Sequence, residues 1–478
     1  MSFQTCWRCL SKASDPALNP LRAPQQSWLL FPASTAPFTI SASLLALPPK
    51  KKGRPAMTEK LVRGAKQTFT KKKKKPTDTN KGRKPAPGER KALRKRVVLS
   101  NTNALEVHGL QDVSAESITN DGLKGQVLGI PGPIVDRLRA VEAFKVPQGW
   151  ALFRRPAMLM RKETLEFGKE MEGIAQNEEK KSIRRVYVGE RGSGKTLMLL
   201  QAMTMAFLKD WVVINIPNAQ DLILAQTEYA PLPSTTNPTL YTQRTYTAAL
   251  LSSISRSNPI LTDLQLSQPA STSDLPIPIP PNISLSRLAL LGASDPETAW
   301  PIFQLLLTEL KKPGRPPLTL CLDGLAHVMC NTRYISAPKY QPIHAHDFTI
   351  IKFFLDHLSG AEGLPNGGAV LAATSNSNNP VIPTLNLALS QLEGNQAVQR
   401  DPFAKYDERV LDVFNKGGVE VQRIGGITKE DARALMEYWA RSGVCRQKVD
   451  EGFVGEKWSL SGGGVVGELE RAVLRMRI

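Results

Sequence analysis

Residues 189–196 read GERGSGKT, and their types and spacing suit one kind of chemistry. Glycines let backbone N–H groups converge on the oxygens of a phosphate, and a helix opening just behind them adds the positive end of its dipole. In this stretch Gly189 opens the turn, and Gly192, Ser193 and Gly194 form the nest. Lys195 is placed to reach β and γ phosphates, and the Thr196 hydroxyl to help hold Mg²⁺. A metal held this way needs a second oxygen ligand. Asp323 ends the apolar run 318–322 and can supply it.

One element of a hydrolytic site is missing. The order of these motifs resembles the AAA-type branch of P-loop proteins, in which a glutamate usually follows the metal-binding acid and polarises the attacking water. Here Gly324 follows. Loss of a positioned base removes a factor of about 10²–10⁴, so the expectation is a nucleotide held with weak or absent hydrolysis, by a binding protein with no catalytic residue. The residues do not name the base. The one trace of a guanine-reading N/T-K-x-D motif is residues 428–431, TKED, where Thr428 as an N-cap explains the pattern without a ligand. His327, His344 and His346 read as polar loop residues lacking a matching ligand set. Cys6 and Cys9 have no second pair at zinc-ribbon spacing, and five cysteines in all suit a reducing compartment.

The elements that must position these groups follow from the patterning. IRRVYVG is a strand running into the loop, and TLMLLQAMTMAFLK, apolar nearly all round, is a helix buried against a sheet. Its methionines Met198, Met203 and Met205 are core filler. WVVINIP (211–217), PLTLCLDG (317–324), GGAVLAATSNSN and VEVQRIGG give further strands, the fourth ending in Thr374, Ser375 and Asn376. Between them, YTQRTYTAALLSSISRSN and AWPIFQLLLTELKK read as helices, as does DFTIIKFFLDHLSG with Asp347 as N-cap and Gly360 as stop. Alternation of this kind predicts an α/β fold: a P-loop NTPase (AAA-type) parallel sheet with helices on both faces. ITKEDARALMEYWARSG and LSGGGVVGELERAVLRM add a helical C-terminal subdomain of two or three helices. The expected layout is an N-terminal extension or small subdomain at 97–181, a nucleotide-binding domain at 182–425 and the helical subdomain at 426–478. A Pro/Ser-rich insertion at 259–281 reads as a long surface loop of weak order.

Charge divides the chain differently. Residues 50–96 hold 20 Lys and Arg against three acids, so they account for +17 of the net +19, and everything after Arg96 is close to neutral. Runs such as PPKKKGRP and TKKKKKP repel themselves and predict a disordered basic arm suited to salt-sensitive, sequence-blind contact with nucleic acid. Residues 1–49, sparse in charge and rich in Ser and Ala, resemble a mitochondrial transit leader. Pro24, Pro32, Pro37 and Pro48 argue against a spanning helix there, and no later stretch is long and apolar enough, so no membrane anchor is expected.

GERGSGKTLMLLQAM, WVVINIPNAQDLI, LTLCLDGLAHVM, DFTIIKFFLDHLSG with GGAVLAATS, DPFAKYDERV, and the terminal GITKEDARALMEYWA with LSGGGVVGELERAVL together resemble the death-associated protein 3 family. These are nucleotide-binding proteins of the mitochondrial ribosomal small subunit, and the likeness is to the fungal members in particular, over residues 146–478. The resemblance implies a structural protein of the mitochondrial ribosome in the matrix, in the head of the small subunit. Its partners would be ribosomal RNA and other small-subunit proteins, at a position near the interface that allows large-subunit contacts. It also implies a guanine nucleotide, GTP or GDP with ATP left open, on Gly192, Gly194, Lys195 and Thr196, and Mg²⁺ on Thr196 and Asp323. Two departures matter. The Pro/Ser-rich insertion before Ile283 reads as lineage-specific with its role open, and SGGGVVGE stands where the family usually has Asn-Pro, so no nucleotide contact is carried over from that segment. Other readings stay open on the residues alone: an active AAA-type ATPase, a nucleotide-switched apoptosis regulator, or a DNA-binding NTPase sent to the nucleus by PPKKKGRP.

Overall fold

Apolar runs four to six residues long, bounded by turns and separated by helices, have to be covered on both faces, and a parallel sheet does this. In the computed structural model, which describes residues 97–176, 180–232, 239–267, 279–280, 282–337, 340–375, 379–394 and 400–474, five strands align. They are β1 (Ser182–Val188), β2 (Val212–Ile216), β3 (Leu318–Asp323), β4 (Gly368–Ala373) and β5 (Glu420–Arg423). All pairings are parallel and the spatial order is β5-β1-β4-β3-β2. The leader, the basic arm, Asn376, Cys6 and Cys9, and the middle of the 259–281 insertion lie outside the described residues.

Side-chain alternation splits the core in two. Val186, Val188, Ile214, Leu320 and Val370 point to one face, where they meet α4 (Arg244–Ser257), α5 (Leu285–Ser294), α6 (Ala299–Leu310), α7 (Thr349–Ser359), α8 (Pro383–Leu392) and α9 (Glu408–Asn415). Tyr187, Val213, Cys321 and Leu371 point to the other. There α3 (Lys195–Leu208) packs with α1 (Gly132–Ala140), α2 (Lys162–Gln176) and a hairpin of Val127–Gly129 with Ala157–Leu159. A third cluster joins that hairpin to the last three helices, α10 (Lys429–Arg441), α11 (Glu451–Leu460) and α12 (Val466–Leu474); Phe153 stacks on Tyr438 at 5.4 Å between ring centres.

Two expectations are corrected. Asp347 does not cap α7: it ends a short 3₁₀ turn, Ala345–Asp347, the helix starts behind Phe348, and Asp347 instead faces Arg409 at 3.5 Å. Gly360 does stop that helix in the left-handed conformation. The first part of the 259–281 stretch is not a loose surface loop either. It begins with a 3₁₀ turn, Pro259–Thr262, buries Leu261 and Leu266, and is anchored through Ser267, whose hydroxyl donates to buried Glu309 at 2.5 Å. Lys312 and Arg315 share that carboxylate, and with Ser267 they hold it down at about 2 against the effect of burial.

The unpaired side of an edge strand needs other partners for its backbone groups, and β2, though buried, is such an edge. Its backbone is answered by one side chain: Asn258, fully buried, accepts from Val213 N at 2.8 Å and donates to Val213 O at 3.0 Å. The amide thus imitates one residue of a sixth strand. Asn258→Ala leaves both groups buried and unpaired, so it should cost about 2–5 kcal/mol of stability, read as a lowered urea midpoint. A midpoint within error of the parent would show that water replaces the amide.

Candidate functional site

The turn out of β1 needs backbone that side chains other than hydrogen rarely allow. Gly189, Gly192 and Gly194 have φ of +146°, +79° and +103°. A Cβ on Gly189 would lie 2.3 Å from the Ile424 carbonyl oxygen, so the residue just after β5 presses directly on the loop. Helix α3 then starts at Lys195 behind Gly194 with no side-chain cap. Its first-turn N–H groups have no intrahelical acceptor, and together with the nest they form a cradle for an anion. Ser193 is buried beneath, its carbonyl accepting from Arg161 Nη1 at 3.0 Å. Arg161 Nη2 also donates to the Gly425 carbonyl at 3.0 Å, so one guanidinium ties the loop to the segment after β5.

Because β4 and β3 lie beyond β1 in the sheet, the acid ending β3 comes to the same edge. Thr196 Oγ1 lies 3.3 and 3.2 Å from the two Asp323 carboxylate oxygens. Lys195 Nζ donates to the carbonyls of Gly189 and Glu190 at 2.9 and 2.6 Å. Lys145 arrives from the segment after α1: its Nζ donates to the Pro217 carbonyl and stands 4.0 Å from Asp323 Oδ2. Burial sets the electrostatics. It pulls Lys195 down to about 8, lowers Lys145, and raises the Asp323 carboxyl in spite of the lysines. All seven residues anticipated from the sequence, Gly189, Gly192, Ser193, Gly194, Lys195, Thr196 and Asp323, therefore meet at one place. A hydroxyl and a carboxylate side by side are hard oxygen donors of the kind Mg²⁺ takes, so the pair fits that ion.

The loop closes one end of a cavity of about 350 Å³. Its other end is apolar, walled by Val127 and Leu159 of the hairpin, Leu435, Tyr438 and Trp439 of α10, and Val466 of α12, with the Glu470 carboxylate among them. The glycine-rich segment from which no contact was expected is what brings α12 here. Gly462, Gly463 and Gly464 all have positive φ, and the chain returns so that Gly467 N donates to Gly192 O at 2.9 Å. A Cβ on Gly467 would sit 3.0 Å from Gly192 Cα, so the approach is backbone to backbone. Lys145, Arg161, Gly467 and Glu470 were not anticipated. Only Gly467 had a local signal, the glycine run, and that marks a turn without marking where it leads. Thr428 is an N-cap, accepting from Asp431 N at 3.2 Å, and takes no part in the cavity.

A family model described as mitochondrial ribosomal death-associated protein 3 matches residues 158–472. The chain is 44% identical to the Small ribosomal subunit protein mS29 of Neurospora crassa, over 99% of each chain. It is 24% identical to the protein of the same name in Schizosaccharomyces pombe, over 74% of this chain and 71% of that one. A chain in the solved E. coli HORMA:CdnC:Trip13 complex aligns at a TM-score of 0.26 and 13% identity, over 73% of this chain and 83% of that one, too weakly to argue from.

Glu470 gives the cavity a titration of its own. Burial pushes its carboxyl up to about 7, from an ordinary 4.5. Between those values the folded protein keeps a proton that the unfolded chain has released, so the group's contribution to stability is full below 4.5 and lost as pH rises through 7. Glu470→Gln removes the titration and keeps the shape. Its stability should exceed the parent's at pH 8 by on the order of 1 kcal/mol, discounted for the water the cavity admits, and the gap should narrow by pH 5.5. Denaturant titrations at the two pH values check this, and parallel pH slopes would contradict it.

Proposed function

The chain belongs to the mitochondrial ribosomal death-associated protein 3 family, and from that premise we propose that it holds a guanine nucleotide with Mg²⁺ as a fixed structural ligand. It is a structural component of the small subunit of the mitochondrial ribosome and works in the mitochondrial matrix beside other small-subunit proteins. The single observation that carries the nucleotide reading is the meeting of the uncapped α3 N-terminus, Lys195, Thr196 and Asp323 at one end of a cavity whose other end is apolar. The strand order, with the loop strand β1 one place from the acid strand β3 across β4, supports a P-loop, AAA-type sheet.

Each part of such a ligand has a partner of the right chemistry. The nest and Lys195 suit the phosphates, and Thr196 and Asp323 would hold the metal, which when bound neutralises phosphate charge. Aromatic and aliphatic walls suit a planar base. Guanine presents two adjacent N–H donors, and the paired oxygens of Glu470 match them; adenine puts an acceptor beside its single amino group and does not. GTP and GDP are thus both in scope. Hydrolysis is not supported: Gly324 has φ of +87°, and a Cβ there would meet His327 Cδ2 at 3.2 Å, so a glutamate at that position would be strained. The position directly after Asp323 thus supplies no base to activate water. Residues 1–49 would direct import, and the basic residues 50–96 would contact ribosomal RNA through charge.

Lys195→Ala should lower nucleotide affinity at least about tenfold. At a hundredfold excess over the parent's Kd it should also cut the stabilisation that nucleotide confers on the purified protein from about 2.7 kcal/mol to about 1.4 kcal/mol or less. In cells the variant should enter the small subunit poorly, measured by sedimentation of mitochondrial extracts through a gradient. Normal incorporation of a variant shown to have lost its nucleotide would overturn the structural-ligand reading. Co-sedimentation that survives RNase would count against the RNA contact.

A further inference from the structure

We propose that Lys145 is a second nucleotide lysine, contributed by the segment between α1 and the hairpin's second strand, whose ammonium reads the terminal phosphate of a nucleoside triphosphate beside Asp323. This rests on the nucleotide reading above and deepens it by giving the site a means to tell a triphosphate from a diphosphate.

The backbone that carries Lys145 is held at several points. Asn215 of β2, buried, donates from Nδ2 to the Val141 carbonyl at 2.7 Å. The Gln148 amide oxygen accepts from Lys145 N at 2.9 Å and from Trp150 Nε1 at 2.6 Å. Phe144 packs edge-on against Trp150 at 5.1 Å between ring centres. Between them Glu142 turns the chain with φ of +54°, a conformation that costs a non-glycine residue energy and persists where surrounding contacts impose it. The side chain then extends to the ends of β2 and β3, where Nζ meets the Pro217 carbonyl and stands 4.0 Å from Asp323 Oδ2.

An ammonium has three donors and no acceptor. At this one the side chain is a quarter exposed, one carbonyl lies in contact, and the nearest carboxylate is at long range and shared with Thr196. Lys145 lines the same cavity as Gly192, Gly194, Lys195 and Thr196. Two lysines therefore stand around one carboxylate in a largely buried place, a surplus of positive charge that a phosphate would balance. Their reach differs. Lys195 springs from the loop and serves β and γ phosphates alike. Lys145 comes from another segment and stands beside Asp323, where the last phosphate of a triphosphate would lie. Its contact would also fasten the segment around residues 141–150 to the sheet only when a triphosphate is present.

The experiment measures binding of GDP and of a non-hydrolysable GTP analogue to the full chain in Mg²⁺, by calorimetry, for the parent, Lys145→Met and Lys195→Ala. Lys145→Gln, which keeps a donor for the Pro217 carbonyl without the charge, replaces Lys145→Met should that variant fail to fold. Expected is a loss of about 10- to 100-fold for the triphosphate analogue and less than about threefold for GDP on removing the Lys145 charge, with Lys195→Ala weakening both. Equal losses for the two ligands, or no loss, overturn the proposal. Tighter binding of both also overturns it, and would make Lys145 an internal counter-ion that competes for Asp323. A parent that binds neither ligand refutes the nucleotide reading itself and the inference with it.

Discussion

Helix α3 begins without a side-chain cap at the end of a buried parallel strand, and that uncapped start is the constraint around which the other parts of the molecule are arranged. Four N–H groups at a helix start have to be satisfied by something, and here the loop before them is too short of side chains to do it. Sheet order puts Asp323 opposite, close enough to hold Thr196. Arg161 braces the loop from below and Gly467 from above, while Lys145 stands beside Asp323 from the side of β2. Three stretches far apart in the chain are thereby committed to a single point, which makes the local charge balance a matter for the whole fold.

That balance is uneven by design of the packing. Asp323 is the acid and Lys145 and Lys195 the bases, all three shifted by burial toward their neutral forms. Burying charge without full compensation is unfavourable. Elsewhere a buried charge meets its partners in direct contact: Glu309 has Ser267, Lys312 and Arg315, and Arg185 has Glu170 and Glu420, the latter joining β5 to β1. The contrast between those direct contacts and the 4.0 Å that separate Lys145 from Asp323 supports the ligand site proposed above.

The strands were legible because a parallel strand covered on both faces is a nearly continuous apolar run, and in WVVINI, LTLCL and GAVLAA only Asn215 and Thr319 interrupt it. The Gly-rich loop was legible because its geometry is local. Helix α5 was hidden behind the proline-rich stretch, where composition spoke of a loop, although Leu285, Leu288 and Ala289 carry a buried helical stripe. Asp347 looked like a cap until a 3₁₀ turn took up the residues before the helix. Lys145, Arg161 and Glu470 left no trace, because each owes its role to a partner hundreds or scores of residues away, and nothing in the neighbouring sequence records such a distance.

Those distances also set when the site can exist. Thr196 and Asp323 are 127 residues apart, and Arg161 and Gly425 are 264 apart. Loop-closure entropy delays contacts of this kind until most of the chain is in place. The closed cavity is thus a property of the finished fold and of none of the partly folded states before it. A ligand that needs all its walls lowers the energy of the native state and leaves the folding barrier's height, seen from the unfolded side, unchanged. Its effect falls on escape: a filled cavity slows unfolding, and so lengthens the life of each completed molecule without hastening its making.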